Sequence, residues 1–235
     1  MNGDAAGRFA ILIPVYNHAE GIGPVVERAG ASGLPVWVVD DGSTDGTAAI
    51  LKEAAGIRVI RHRENRGKGA ALLTGFAVLA GTADWAVTLD ADGQHDPADI
   101  PALVAPILAG RADHVSGSRL IGGSSELHGG FDECFRLMGS SLITACVNHR
   151  FGVQLSESQN GFRAIRTEVL RDLGLVEDIT TIEQEMIIKT LKKGYRMGEV
   201  PSHEHKRKGG VSKISLRKVA VRYVWTMVKY LYLTK

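Results

Sequence analysis

Val36-Trp37-Val38-Val39-Asp40-Asp41-Gly42-Ser43-Thr44-Asp45-Gly46-Thr47 decides the architecture. Four apolar, β-favouring residues run into two aspartates. A Gly-Ser-Thr-Asp-Gly turn then offers side chains able to cap a helix, which the pattern carries to about Ala55. The unit is strand, polar turn, helix, and it recurs on both sides. Phe9 to Val15 reads as a strand ahead of a helix from about Glu20 to Ala31. Ile57 to Arg61 precedes a long helix from about Lys68 to Ala80. Trp85 to Leu89 precedes a helix near Pro97, with Asp96 as cap and proline at the first helical position. His114 to Gly117 is a fifth strand. Alternation at this spacing predicts an α/β fold, a mostly parallel sheet with helices on both faces. Such sheets bind ligands at the carboxyl ends of their strands. Here those ends deliver Tyr16-Asn17, Asp40-Asp41 and Asp90-Asp92 to one edge.

The second half is less regular. A Gly-rich loop is expected from Ile121 to Gly130, then a helix from about Phe131 to His149 and a strand near Phe162 to Ile165. Helices follow near Thr167 to Leu173 and Ile182 to Lys193, and Met197 to Val200 reads as the last strand. Neither an internal repeat nor a domain linker interrupts the pattern.

With 235 residues the chain can bury a sizeable core. A formal charge of +2 gives no case for nucleic acid, although from Arg196 onward ten Lys or Arg face two Glu. Cys134 and Cys146 fall on one predicted helix, about 18 Å apart at 1.5 Å per residue, too far for a disulfide. They read as reduced core thiols of a cytoplasmic protein. The N-terminus shows no basic region followed by an apolar run, so no signal peptide is expected. No run approaches the roughly 18 apolar residues of a membrane span, so membrane contact would be peripheral.

The chemistry sits in Thr88-Leu89-Asp90-Ala91-Asp92-Gly93-Gln94-His95. Two carboxylates two residues apart at a strand exit can share one hard cation, Mg2+ or Mn2+, which takes its remaining ligands from substrate phosphates. Such an ion would neutralise charge on a departing nucleoside diphosphate. An Asp-x-Asp alone is also a common turn or helix cap. Its neighbours at the same sheet edge give it weight.

Four segments, taken in order, resemble family 2 glycosyltransferases: Ile13-Pro14-Val15-Tyr16-Asn17, Val39 to Thr47, Asn65-Arg66-Gly67-Lys68-Gly69, and Leu89 to His95. The resemblance implies the glycosyltransferase A-type fold. It implies that Pro14, Tyr16 and Asp41 hold the nucleotide base, with Ala91 beside the nucleotide sugar and Lys68 near the diphosphate. Asp90, Asp92 and Gln94 would surround the metal. One departure is His18, where the family commonly has an acidic residue; Glu20 lies two places on.

A narrower resemblance, to dolichol- or polyprenyl-phosphate sugar synthases, rests on the second half. It is carried by Gly117-Ser118-Arg119, Arg136 with Ser140, and Gln159 to Ala164. Gly194-Tyr195-Arg196, Glu199-Val200-Pro201 and Arg207-x-x-Gly210-x-Ser212-Lys213 extend it. It implies that Arg119, Arg136 and Ser140 face the phosphates of donor and lipid, with Arg207, Ser212 and Lys213 on a loop that closes over them. Arginines offset the repulsion between two phosphates through bidentate hydrogen bonds. Asp92, Arg119 and Arg136 are then the catalytic candidates, a catalytic domain would span residues 1–214 (nucleotide-sugar half 1–118, acceptor half 119–214), and 215–235 would form a basic amphipathic helix.

The acceptor decides whether a base is needed. A hydroxyl must lose a proton in the transition state, and Glu157, Glu183 and Glu185 are candidates for taking it. A phosphate monoester, with a second pKa of about 6, is already largely ionised. The preferred reading has no dedicated base, and Glu185 orients structure. On a helical projection from Ser215, Leu216, Val219, Ala220, Tyr223, Val224, Met227, Tyr230 and Leu231 share an arc, with Lys218, Arg222 and Lys229 opposite and Trp225 near them. Such a helix can lie in a membrane interface, or pack on the domain, a second subunit or a membrane-protein partner.

The expected activity is inverting transfer of a hexose from a GDP- or UDP-sugar to a polyprenyl phosphate at the cytoplasmic face of a membrane. Transfer to a saccharide or other hydroxyl, and a non-catalytic sugar-nucleotide-binding module, are the alternatives.

Overall fold

The computed structural model describes residues 8–125, 131–207 and 216–234, with only the backbone described at 131–136 and 216–219. Seven strands form one sheet in the order β3-β2-β1-β4-β6-β5-β7. They are β1 Phe9–Val15, β2 Val36–Asp40, β3 Ile57–Arg61, β4 Trp85–Thr88, β5 His114–Ser118, β6 Arg163–Arg166 and β7 Met197–Pro201. The β1–β2, β1–β4, β2–β3 and β5–β7 pairs are parallel, and β6 runs antiparallel to both β4 and β5. The reversed strand lets residues just before β6 reach the carboxyl end of β4.

Side chains of a strand alternate between faces, and β1 feeds both layers of core. Phe9, Ile11, Ile13 and Val15 pack into the cluster formed with helices α1 (Ala19–Ala31) and α4 (Ile100–Leu108). Ala10 and Leu12 face the opposite cluster, with α3 (Lys68–Leu79), α7 (Thr167–Leu173) and α8 (Ile182–Lys192). Helix α2 (Thr47–Glu53) starts where predicted. Asp45 accepts from the amides of Thr47 and Ala19, so one carboxylate secures the starts of α2 and α1 together. Asp96 accepts from the amide of Ala98, opening a 3-10 turn at Pro97–Asp99 that leads into α4.

Two expectations change. The loop expected from Ile121 begins instead as a helical turn, α5 (Arg119–Gly122), because the Ser118 side chain accepts from the amide of Leu120 and caps it. Residues 126–130 of that loop lie outside the described ones. The C-terminal helix α9 (Leu216–Val228) ends in a π-helical turn over Lys229–Leu233. Tyr230 and Leu231 join Val147 of α6 (Phe131–Phe151) and Ile187 and Ile188 of α8 in a third core cluster. Thr226 is buried too, while Val224, placed on the apolar arc by the projection, is exposed. Arg222 and Lys229 are anchored, both pairing with Glu177. The C-terminal half of this helix therefore packs on the domain. The side chains of Leu216, Lys218 and Val219 lie outside the described residues. Cys134 and Cys146 share α6, and Cys146 is a free thiol. Among the described residues no helix is long and apolar enough to cross a membrane.

Candidate active site

The ends of β1 and β2 build one side of the candidate cleft. Pro14, which has no N–H, stands two residues past the last β1–β4 pair, Leu12 with Thr88. Tyr16 follows, partly exposed, and Asn17 takes a left-handed conformation at φ 48°. That bend aims the Asn17 carboxamide at the β2 turn, where it accepts from the amide of Thr44 at 2.7 Å. His18 gives its amide to the Thr47 hydroxyl, and Glu20 is exposed. Asp41 is buried, and its carboxylate accepts from the amides of Arg66 (3.0 Å) and Gly67 (2.7 Å) and contacts His62 Nδ1 at 2.7 Å. It thus fixes the loop that carries Lys68. Gly42 has φ 73°, and a Cβ there would lie 2.4 Å from the Glu64 carbonyl carbon. Only glycine permits that crossing of β2 turn and β3 loop.

At the end of β4, Asp90 Oδ1 lies 2.6 Å from Lys68 Nζ, which reaches Glu183 Oε1 on α8 at the same distance. Burial opposes the charge on Lys68, yet Asp90 and Glu183 raise its pKa and hold it protonated. Burial likewise opposes ionisation of Asp90. Lys68, with His95 and Arg207, overrides it and keeps that carboxyl below its usual range. Asp90 has room because of Gly161, where a Cβ would sit 2.5 Å from Asp90 Oδ2. The Thr88 hydroxyl donates to the Gly161 carbonyl at 2.6 Å and holds that approach. Ala91 is buried in the turn, and Asp92 accepts from the amide of Gln94. Arg207 completes the group: Nη1 is 3.0 Å from Asp92 Oδ2, and Nη2 donates to Gln94 Oε1 at 2.8 Å.

These oxygens suit a hard divalent cation, and two side-chain cations already lie on them. Among the described residues no three His, Cys, Asp or Glu side chains gather as a metal site of their own. An ion held by two aspartates and a glutamine amide would take further ligands from substrate phosphates, the habit of magnesium.

Arg119 reaches two carboxylates, Glu157 Oε1 at 2.6 Å and Glu204 Oε1 at 2.5 Å. Its guanidinium is thus engaged by protein where the resemblance implied phosphate. Glu157 is buried and also accepts from the amide of Arg119; Glu199 accepts from the amides of Ser156 and Glu157. Glu185 is fully buried, accepts from the amides of Val176 and Glu177 and pairs with Lys189. It orients structure. Ser140 sits half-buried on α6, its carbonyl accepting from Thr144. The side chain of Arg136, together with Ser212 and Lys213, lies outside the described residues.

Several residues of the site were not singled out from sequence. Arg163, wholly buried, donates to the carbonyls of Asn160 and Ser158, and its charge is attracted by Glu183, Glu157 and Asp90. Its place after Gly161-Phe162 was visible, but its burial was not. Glu204 and His62 carried no local signal; each matters through a distant partner, Arg119 or Asp41.

A seven-stranded, mostly parallel sheet with an acidic, cation-bearing cleft at its strand ends is the frame of a sugar-nucleotide-dependent transferase. The family model described as Glycosyl transferase family 2 matches residues 10–174, and the chain belongs to that family. It is a glycosyltransferase. Among curated relatives it is 32% identical over 226 residues to the polyprenol monophosphomannose synthase of Mycolicibacterium smegmatis, covering 88% of this chain and 81% of that one. It is also 32% identical to the UDP-N-acetylglucosamine--dolichyl-phosphate N-acetylglucosaminyltransferase of Methanococcus voltae, over 81% of this chain and 83% of that one. Among solved structures, glucosyl-3-phosphoglycerate synthase from Mycobacterium tuberculosis, in complex with Mn2+, UDP-glucose and phosphoglyceric acid, matches with a TM-score of 0.77. Its identity is 20%, over 97% of this chain and 81% of that one, a likeness of fold.

Proposed function

We propose that this chain transfers a hexose from a GDP- or UDP-sugar to a polyprenyl phosphate, inverting the anomeric carbon, with Mg2+ or Mn2+ held by Asp90, Asp92 and Gln94. The observation that carries the choice of acceptor is the engagement of every carboxylate considered as a base. Glu157 pairs with Arg119, Glu183 with Lys68, and Glu185 with Lys189 and two amides. Each of these carboxylates is already committed to a cation or to backbone amides, and an ionised phosphate asks for no base. The named lipid-phosphate relatives support the same acceptor.

In this reading Pro14, Tyr16, Asp41 and Ala91 line the nucleotide-sugar pocket. Lys68 supplies a fixed positive charge beside the diphosphate. A divalent ion would neutralise the charge that develops on the nucleoside diphosphate as the glycosidic bond breaks. Arg207 is the described arginine best placed to meet an incoming phosphate, with Ser140, Arg136, Ser212 and Lys213 as further contacts. The reaction joins a phosphate oxygen to the anomeric carbon from the face opposite the departing diphosphate. Such an acceptor places the enzyme at the cytoplasmic surface of a membrane.

The test is incubation with labelled GDP-mannose, UDP-glucose and UDP-N-acetylglucosamine, a short polyprenyl phosphate and Mn2+. The expected product is an organic-extractable sugar from at least one donor, lost on chelation with EDTA. Absence of lipid-linked product with every donor, alongside transfer to a saccharide hydroxyl that Glu183→Gln abolishes, would overturn the lipid-phosphate reading.

A further inference from the structure

The contact of Arg207 with Asp92 and Gln94 is the feature of the cleft that transfer chemistry alone does not require. Its guanidinium meets Asp92 Oδ2 at 3.0 Å and Gln94 Oε1 at 2.8 Å. Both oxygens belong to the set assigned above to the divalent ion. Two residues earlier the backbone is fixed from two sides. His205 gives its amide to the Gln94 carbonyl at 2.8 Å, and Glu204 exchanges backbone hydrogen bonds with Gly123 and Ser125. The segment bearing Arg207 is therefore pinned to the residue whose side-chain amide Arg207 grips. Lys68 lies on Asp90 in the corresponding way, 2.6 Å away, but is shared with Glu183. Arg207 lies on Asp92 and Gln94 together, and its charge also acts on Asp90.

We infer that Arg207 is the counter-cation of the metal site: it neutralises Asp92 and occupies the Gln94 amide oxygen before the ion arrives, and the ion must displace it. A guanidinium and a divalent cation on the same two oxygens repel each other strongly in a partly buried cleft. The exchange frees one arginine at the moment the metal-bound diphosphate is in place. Metal and donor thus bind before the acceptor phosphate, and Arg207 becomes available to that phosphate only then. Arg207 acts here as a positioning residue. The inference rests on the assignment of Asp90, Asp92 and Gln94 to the metal.

Direct Mn2+ binding tests it, measured by the loss of the free-ion electron paramagnetic resonance signal on titration of the full chain. Arg207→Met removes the charge and keeps an unbranched stem; Arg207→Lys keeps a charge. Arg207→Met should bind Mn2+ about tenfold more tightly than wild type, a tenfold change being about 1.4 kcal/mol. Arg207→Lys should stay within about threefold of wild type, because an ammonium still competes for Asp92. Asp92→Asn should weaken binding at least about tenfold. Arg207→Met binding no more tightly than wild type, with Asp92→Asn weakened, overturns the counter-cation role and leaves the metal assignment standing. Asp92→Asn binding as wild type does overturns the metal assignment itself, as does an absence of Mn2+ binding in both wild type and Arg207→Met. Melting curves followed by circular dichroism confirm that each variant is folded, and the low burial of Arg207 relative to Arg119 predicts melts close to wild type.

Discussion

Arg119 and Arg207 belong to the same half of the chain and both reach carboxylates, yet their surroundings differ in kind. Arg119 has a side chain 16% exposed and is clamped between Glu157 and Glu204, themselves 1% and 8% exposed. Arg207 is 29% exposed and lies across one carboxylate and one amide, the oxygens proposed above to hold a divalent ion. The first is a buried triad, costly to break because any member removed leaves charge stranded. The second is a surface-accessible contact of small worth to folding. An arginine in a motif thus gains its role from what else its partners must hold, which residue type alone does not specify.

The largest effect is expected at the acidic partner of Arg207. Asp92→Asn removes one charge from the proposed metal ligands and should lower turnover by about 10³-fold or more while leaving the fold intact, measured as lipid-linked product per minute. The complementary experiment strikes the other arginine. Arg119→Ala strands Glu157 and Glu204 and should cost about 3–5 kcal/mol in urea unfolding. Arg207→Ala should cost no more than about 1 kcal/mol in the same assay. Equal losses from the two would dissolve the distinction. A smaller effect is expected at Gly161, which lies between the two regions. Gly161→Ala drives a Cβ toward Asp90 Oδ2, at 2.5 Å, and pushes that carboxylate out of line. A displacement of that size should reduce turnover by about 10²-fold, with Mn2+ affinity falling in parallel.

What the sequence disclosed follows the range of the interactions. The strand–turn–helix units are read within a dozen residues, and strands β1, β2 and β3 fall where the apolar runs put them. The candidate cleft was legible for the same reason, since Asp41 and Asp90 each follow the end of a strand. The pairings that tune the site span much longer separations: 85 residues for Arg119 with Glu204, 113 for Arg207 with Gln94 and 115 for Lys68 with Glu183. No periodicity encodes them; they exist because β6 is inserted antiparallel between β4 and β5 and folds the second half back over the first. The C-terminal helix shows the same limit locally. A projection at 100° per residue put Tyr230 and Leu231 on the buried face, where they are, but also Val224, at the edge of the arc, which is exposed.

The smallest predicted effect concerns acid, and it separates the two regions by a route independent of turnover. Burial opposes ionisation of Glu204, but Arg119 and the Ser124 hydroxyl outweigh it and hold its pKa below the usual value. A group whose folded pKa is lowered contributes its stability in full above the unfolded value, about 4.3 for Glu, and loses it as pH falls on through the folded value. Glu204→Gln should therefore be less stable than wild type at pH 7. The gap should close progressively from about pH 4.5 downward, as wild type takes up the proton that the variant never needed. Paired urea titrations at pH 7, 5, 4 and 3 measure it. A gap that stays constant over this range would mean that the charge on Glu204 is not what Arg119 holds. The Arg119 cluster would then owe its rigidity to packing and neutral hydrogen bonds, and the contrast with Arg207 would be one of burial alone.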